Sequence, residues 1–272
     1  MNDSEIESLA EGLLTTVLRV GRLQVAHLAA GVEATRKADN SPVTIADKES
    51  EEILLESLTR LAPGVQIISE EAASAGHVPP PADTFFLVDP LDGTKPFLRR
   101  EPYFTINVAL IEGGRPVFGV LYAPAIPDLF VTLGADKVGA ARLPPSSPVQ
   151  TLAECGLEQL KTRPVDPKAI KALTSQTHLN SETRRFLECY DVVDRRAVSS
   201  SLKFGLLARG EADLYPRIAP THEWDTAAGH AVLAAAGGTV LTFDGEPLSY
   251  GKRDYLNPGF VAWSTKHPIT AG

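Results

Sequence analysis

Two carboxylates, a glycine and a hydroxyl close the run Phe85-Phe86-Leu87-Val88-Asp89-Pro90-Leu91-Asp92-Gly93-Thr94. The apolar part reads as a strand and the remainder as a tight loop. Asp89 and Asp92 stand too close to stay comfortably ionised at a strand end unless a cation lies between them, and a divalent ion removes that conflict. Pro90 fixes the backbone after the first carboxylate, and Gly93 permits a tight turn or a close approach before the Thr94 hydroxyl. Pro96 suits the first turn of a helix. The free N–H groups at a helix start near Thr94 favour an anion, phosphate above all. The loop thus offers ligands for a metal beside donors for a phosphate. For an isolated D-x-x-D an Asx-rich helix cap is the commoner explanation, so the rest of the chain must decide.

Other acidic residues stand at element boundaries rather than on solvated faces. Glu70 follows a short strand, Asp47 enters a helix and Asp225 enters another. Each alone reads as a cap or a surface charge. Together with Asp89 and Asp92 they form an oxygen-only ligand set, which suits a hard cation such as magnesium rather than zinc or copper.

The elements that must position these groups follow from apolar spacing. Leu9, Leu13, Val17, Val20 and Leu28 recur at helical intervals, with Gln24 in the same stripe, and Asp3 or Ser4 is the expected cap. The segment Lys37 to Thr44 is polar and broken by proline, a loop or short hairpin. A second helix begins around Ala46-Asp47 and stops at Pro63-Gly64. Val65 to Ser69 is strand-like, and the Pro/Ala/Gly-rich stretch from Ala72 to Asp83 is expected to be a mobile surface loop. Phe104 to Ile111 and Pro116 to Tyr122 form a hairpin around Glu112-Gly113-Gly114-Arg115, with Asp128 to Leu133 as a third antiparallel strand. The Pro/Ser/Ala-rich segment from Gly134 to Pro148 marks the expected subdomain boundary, dividing an N-terminal α+β portion, 1–135, from a C-terminal α/β portion, 136–272. Beyond it, strands near 170–174, 192–197, 212–215, 240–243 and 260–263 alternate with helices near 181–188, 202–209 and 225–236, the last capped by Gly237-Gly238.

Composition bounds the possibilities. The 272 residues, 43% of them hydrophobic, are enough for one large domain or two modest ones with a substantial core. A net charge of -8 and the lack of a Lys/Arg cluster argue against nonspecific nucleic-acid binding, while a small phosphorylated ligand needs only a few cations in a cleft. Two cysteines, Cys155 and Cys189, support neither a disulfide framework nor a Cys-based zinc site, and both are expected reduced and structural. The start of the chain has no basic region leading into an apolar core, and no run of about 18 apolar residues occurs. A soluble, cytoplasmic protein is expected, with peripheral contact at the inner membrane left open. The apolar region from Phe118 to Val131 is a candidate homodimer surface.

Taken together, Glu70-Glu71, Asp89-Pro90-Leu91-Asp92-Gly93-Thr94 and Trp224-Asp225-Thr226-Ala227-Ala228-Gly229 resemble the signature of the lithium-sensitive, magnesium-dependent inositol monophosphatase superfamily. Gly93-Thr94-Lys95, Ser200-Ser201-Leu202-Lys203-Phe204 and Asp213-Leu214-Tyr215-Pro216-Arg217 followed by Pro220-Thr221 are similar to its CysQ-type 3'(2'),5'-bisphosphate nucleotidases. The resemblance extends from about Lys37 to Phe260 and implies the layered αβαβα fold of the sugar phosphatases.

Carried over residue by residue, it implies that Glu70, Asp89 and the Leu91 carbonyl hold one magnesium and that Asp89, Asp92 and Asp225 hold a second, with Glu70 touching a third. It implies that Asp47 accepts a hydrogen bond from Thr94, whose hydroxyl orients and helps deprotonate the attacking water, while N–H groups at Gly93 and Thr94 cradle the phosphate. His178, Ser200, Lys203 and Arg217 match positions that bind the nucleotide and its second phosphate. Taken without the resemblance, Lys203 is a solvated helix residue; Lys37, near Asp39, is a candidate neighbour of the metal site and otherwise a surface residue. Pro96 stands where nucleotidases commonly have glutamate, and Ser175-Gln176-Thr177-His178 lacks an arginine common there; both departures fall where specificity would be set. The implied reaction is hydrolysis of 3'-phosphoadenosine 5'-phosphate to AMP and phosphate, with the 5'-phosphosulfate analogue as a second candidate substrate, in sulfate assimilation. The alternatives are the same chemistry on inositol monophosphate or fructose 1,6-bisphosphate, and a noncatalytic protein that senses nucleotide through the same cleft.

Overall fold

Helix α1 (Asp3–Ala30) is capped by Asn2 rather than by Asp3 or Ser4. The Asn2 side-chain oxygen accepts the Glu5 N–H at 3.0 Å, and the Glu5 carboxylate accepts the Asn2 N–H at 2.8 Å. This reciprocal pair satisfies donors that a helix start leaves open. The computed structural model describes residues 1–37, 41–176 and 180–269. After α1, β1 (Ala34–Arg36) and β2 (Pro42–Thr44) pair antiparallel, so the hairpin is the alternative realised. Then come α2 (Ile45–Leu61), β3 (Gln66–Ser69), α3 (Glu70–Ser74), β4 (Thr84–Asp92) and the single turn α4 (Thr94–Leu98).

A seven-stranded sheet is completed by β5 (Thr105–Glu112), β6 (Arg115–Ala123), β7 (Asp128–Gly134), β8 (Lys137–Arg142) and β9 (Glu158–Gln159), in order β3-β4-β5-β6-β7-β8-β9. Its middle is buried on both faces, which is why β4 reads as an unbroken apolar run. Phe86 and Val88 pack with α1 and α2, whereas Phe85 and Leu87 join the core on the opposite side. The expected boundary at 135–136 falls in the turn between β7 and β8, which pair from Gly134↔Lys137 onward, and the chain leaves this sheet only after Gln159. Phe118 to Val131 is interior: Phe118, Leu121, Tyr122 and Phe130 are fully buried within one chain. That segment therefore offers no dimer surface.

The second half contributes β10 (Ile170–Ser175), α5 (Ser181–Leu187), β11 (Val192–Val198), α6 (Leu202–Ala208), β12 (Leu214–Arg217), β13 (Thr221–His222), α7 (Ala227–Ala235), β14 (Thr239–Thr242), β15 (Leu256–Asn257) and β16 (Phe260–Trp263). Five of these strands form a sheet in order β11-β10-β12-β16-β14, and β13 pairs with β15. Helices α6 and α7 lie between the two sheets: Phe204, Leu207, Ala228 and Val232 share a core with Leu121 and Phe130 on one side and Tyr215 and Phe260 on the other. At Gly119 the helix approaches β6 so closely that a Cβ would stand 2.4 Å from the Ala228 carbonyl oxygen. The outer face of the second sheet packs Ile170, Leu214 and Trp263 against Leu187 of α5. The layers are thus helix, sheet, helix, sheet, helix, the α/β architecture expected.

The Ala72 to Asp83 segment is fastened rather than free. Gln66 brackets it by donating to the Pro80 carbonyl at 3.1 Å and accepting the Ala82 N–H at 3.0 Å, and the Tyr255 hydroxyl donates to the Pro79 carbonyl at 2.8 Å. Both cysteines are free thiols; Cys155 is buried but Cys189 is exposed, so only the first is structural. Among the described residues no helix is long and apolar enough to cross a membrane.

Candidate active site

The register of β4 against β5 explains how Asp89 and Asp92 come to lie on the same side of the sheet. Asp89 pairs with Asn107 and Asp92 with Thr105, so three steps on β4 oppose two on β5. In a regular strand residues three apart point to opposite faces; the extra residue of this bulge restores them to the same one. The α1 residue Gln24, fully buried, holds the bulge from behind, donating its amide to the Pro90 carbonyl at 2.7 Å and to Ser50 Oγ at 3.0 Å. Gly93 then turns the chain with φ +102°, where a Cβ would lie 2.9 Å from the Tyr103 carbonyl oxygen.

Carboxylate oxygens of Glu70, Asp89 and Asp225 lie within 4.8 Å of one another. Glu70 comes from the start of α3, Asp89 from β4 and Asp225 from the 3-10 turn Glu223–Asp225 ahead of α7. Burial, reinforced by their mutual charge, holds the Asp89 and Asp225 carboxyls well above the usual carboxylate range. Such a cluster of oxygen donors fits a hard divalent cation, which would relieve that repulsion. Asp92 stands beside it with a different partner: its Oδ2 accepts the Ser201 N–H at 2.5 Å. Burial raises the Asp92 carboxyl to about 6, while the nearby Lys203 charge pulls the other way. Ser201 Oγ in turn donates to Asn107 Oδ1 at 2.6 Å and lies 2.9 Å from Thr105 Oγ1, so both partners of the bulged aspartates are tied to the second half of the chain.

Asp47 has two duties. Its Oδ2 accepts the Thr44 N–H at 2.8 Å and hydroxyl at 2.6 Å, which caps α2, while its Oδ1 accepts the Thr94 hydroxyl at 3.2 Å. Thr94 Oγ1 also lies 3.4 Å from the Leu91 carbonyl oxygen. Burial raises the Asp47 carboxyl above its ordinary value against the Thr44 hydrogen bonds. The expected Asp47–Thr94 pair is therefore in contact.

Neither lysine singled out above is solvated. Lys37 Nζ bridges Glu70 and Glu71 at 2.7 and 2.6 Å, with its side chain only 5% exposed. Burial opposes its charge, but the two glutamates outweigh it and hold the ammonium above its ordinary value. Burial raises Glu71 to about 7 despite the Lys37 contact. Lys203 is 3% exposed; its ammonium donates to the carbonyls of Val198, at 3.1 Å, and of Ser200, and lies over the Tyr215 ring. Burial lowers it to about 7, with Asp92 acting in the opposite sense. Ser200 has φ +59°, a left-handed conformation uncommon outside glycine, and the Lys203 contact lies across that turn. Arg217 borders the same cleft, its Nε donating to the Ala219 carbonyl at 3.0 Å. Thus Gly93, Thr94, Ser200, Lys203 and Arg217 line one cleft of about 490 Å³ with Glu70, Asp92 and Asp225. His178 and Asp39 lie outside the described residues.

This convergence agrees with whole-chain likeness. A model of the inositol monophosphatase family matches residues 2–271. The chain belongs to the inositol monophosphatase family. Members of this family are generally metal-dependent, and the acidic cluster at Glu70, Asp89 and Asp225 is in keeping with that. The chain is 40% identical over 231 residues to the 3'(2'),5'-bisphosphate nucleotidase CysQ of Escherichia coli strain K12, covering 84% of this chain and 88% of that protein. The crystal structure of CysQ from Bacteroides thetaiotaomicron, a bacterial member of the family, is similar with a TM-score of 0.78 at 33% identity over 96% of this chain and 98% of that one. A family member from Thermotoga maritima shares the fold with a TM-score of 0.72 at 21% identity, over 92% of this chain and 89% of that one.

Gln24, Ser201 and Asn107 complete the site without having stood out as its partners in the sequence, whereas Lys37 and Glu71 stood beside its motifs. The one local signal for Gln24 was a polar residue in an apolar helical stripe, which marks a buried group with a specific partner.

Proposed function

We propose that the protein is a magnesium-dependent 3'(2'),5'-bisphosphate nucleotidase that hydrolyses 3'-phosphoadenosine 5'-phosphate to AMP and phosphate. The observation that carries this is the meeting of the Glu70, Asp89 and Asp225 carboxylates with the Asp47–Thr94 pair in a cleft that also holds Lys203 and Arg217. The likeness to proteins named as bisphosphate nucleotidases supports the substrate class.

In this reading Glu70, Asp89, Asp92, Asp225 and the Leu91 carbonyl would hold two magnesium ions, and Glu70 would touch a third. The bound cations supply charge neutralisation on the phosphate and a lowered pKa for water. Thr94 positions the attacking water and passes its proton toward Asp47, whose buried carboxylate has its own pKa raised toward the range of a general base. Water oxygen bonds to phosphorus as the bond from phosphorus to the ribose 3'-oxygen breaks; the ribose oxygen takes a proton from solvent, and Asp47 returns the proton it accepted to solvent. N–H groups at Gly93 and Thr94 steady the phosphate oxygens. Ser200, Lys203, Arg217 and His178 serve the nucleotide and its second phosphate. The 5'-phosphosulfate analogue is a further substrate, which places the enzyme in sulfate assimilation.

The deciding experiment is phosphate release with magnesium from 3'-phosphoadenosine 5'-phosphate, inositol 1-phosphate and fructose 1,6-bisphosphate at matched concentrations. The adenosine bisphosphate should have the highest kcat/KM. Preference for a sugar phosphate would overturn the nucleotidase assignment and leave the cation site standing; release from none would favour a nucleotide-sensing protein.

A further inference from the structure

We propose that Lys95 selects for a bisphosphate, its ammonium joining Lys203 and Arg217 at the phosphate that is not cleaved. This inference rests on the nucleotidase reading. A nucleoside bisphosphate brings a second anionic group into the cleft, and the crowded carboxylates of the cation site repel that group. It needs a cation whose donors are not already spent.

Among the described residues, the lysines and arginine that line the cleft are Lys37, Lys95, Lys203 and Arg217. Lys37 is shared between Glu70 and Glu71. Lys203 is buried, with its ammonium on the Val198 and Ser200 carbonyls. Arg217 has its Nε on the Ala219 carbonyl, although the ends of its guanidinium remain for a ligand. Lys95 differs from all three. It is exposed, and among the described residues its ammonium has no ion pair and no hydrogen bond.

The backbone that carries Lys95 is nevertheless held in place. Pro96 and Phe97 beside it are buried, and the Phe97 ring meets Phe104 edge to face with centroids 5.0 Å apart. Gly93, two residues earlier, is wedged against the Tyr103 carbonyl. Of the other cations at this turn, Arg99 is occupied by Glu101 at 2.7 Å, and Arg100 lies against Gly31 in a separate cavity. The Lys95 Cα is therefore fixed at the rim of the cleft next to Gly93 and Thr94, while four methylenes leave the ammonium free to follow a phosphate as a mobile point charge. Lys203 and Arg217 then supply field and orientation from the cleft wall, and Lys95 supplies the adaptable contact. A neutral or singly phosphorylated sugar has nothing for it to hold.

The test compares kcat/KM for adenosine 3',5'-bisphosphate with that for adenosine 3'-monophosphate, which offers the same scissile bond without the second phosphate. Lys95→Gln is expected to lower the ratio about tenfold, mainly through KM for the bisphosphate, as loss of one charge-assisted contact should. Lys95→Arg is expected to keep most of the ratio. An unchanged ratio in Lys95→Gln, in a protein whose wild type prefers the bisphosphate, overturns the role of Lys95 alone. A wild type that prefers inositol 1-phosphate overturns the nucleotidase reading and this inference with it.

Discussion

The amide of Gln24 on α1 donates to the carbonyl of Pro90, inside the bulge that separates Asp89 from Asp92. A helix whose other buried side chains are largely apolar thus holds the backbone that aims both aspartates. Gln24→Leu should leave the Pro90 carbonyl and Ser50 unpaired in the interior, costing about 1–3 kcal/mol of folding stability. Urea unfolding reads the cost, and magnesium titration of the folded variant should show weakened binding. A variant with wild-type stability and wild-type magnesium affinity would show that the bulge holds itself.

Thr94 touches Asp47 through its hydroxyl alone, so Thr94→Ala should lower kcat by about a hundredfold with little change in KM, and Thr94→Ser should restore much of it. Asp47→Asn should lower kcat as severely and also unfold more easily, by about 1 kcal/mol, because the same carboxylate caps α2. Unchanged turnover in Thr94→Ala would remove this pair from the mechanism.

The buried carboxylates should make the cation-free protein respond to pH in a defined direction. Asp89, Asp92 and Asp225 have folded pKa values above their ordinary 3.8, so they favour the folded state fully below that pH. Their contribution is lost as pH rises through the folded values, about 6 for Asp92. After chelation, Asp225→Asn should therefore raise Tm at pH 7.5, and magnesium, which is expected to raise the Tm of the wild type, should no longer do so in the variant. A lower Tm for the chelated variant would argue against repulsion at this cluster.

His230 works in the opposite sense. It lies on α7 with Nδ1 3.0 Å from the Tyr250 hydroxyl, which donates to Thr226 Oγ1 at 3.3 Å. Burial, with a smaller push from Lys252, lowers it from the ordinary 6.5 to about 4. The unfolded chain therefore takes up this proton first. Stability from a neutral His230 is complete above about pH 6.5 and lost as pH falls toward 4, a loss of about 3 kcal/mol at most. His230→Gln should flatten the acid limb of a stability–pH curve, read from urea midpoints between pH 4 and 7 relative to wild type. Parallel curves would show that other groups govern acid unfolding.

Much of the fold was legible because its signals are local. The apolar run before Asp89, the glycines of the β5–β6 hairpin and the helical period of α1 each report on their own neighbours. The acidic residues of the site were legible through their motifs. What escaped was long-range. Ser201 reaches Asp92 across 109 residues and Gln24 reaches Pro90 across 66, and no pattern within either segment announces the other. The burial of Lys203 was not legible without the resemblance, because a lysine on a short helix is ordinarily solvated, whereas here two carbonyls and an aromatic face receive it in the interior. Pro and Ser clusters mark turns as readily as domain limits, and the Gly134–Lys137 turn at the expected boundary lies within one sheet.

The strand order of the second sheet has a consequence for biosynthesis. β16 lies between β12 and β14 although it follows both in the chain, so their neighbour is missing until Phe260–Trp263 has left the ribosome. Asp225 sits just ahead of a helix sandwiched against that sheet. A nascent or prematurely terminated chain can therefore present Glu70 and Asp89 without a settled Asp225. Cation capture becomes a late event in synthesis, reserved for chains whose second sheet has closed.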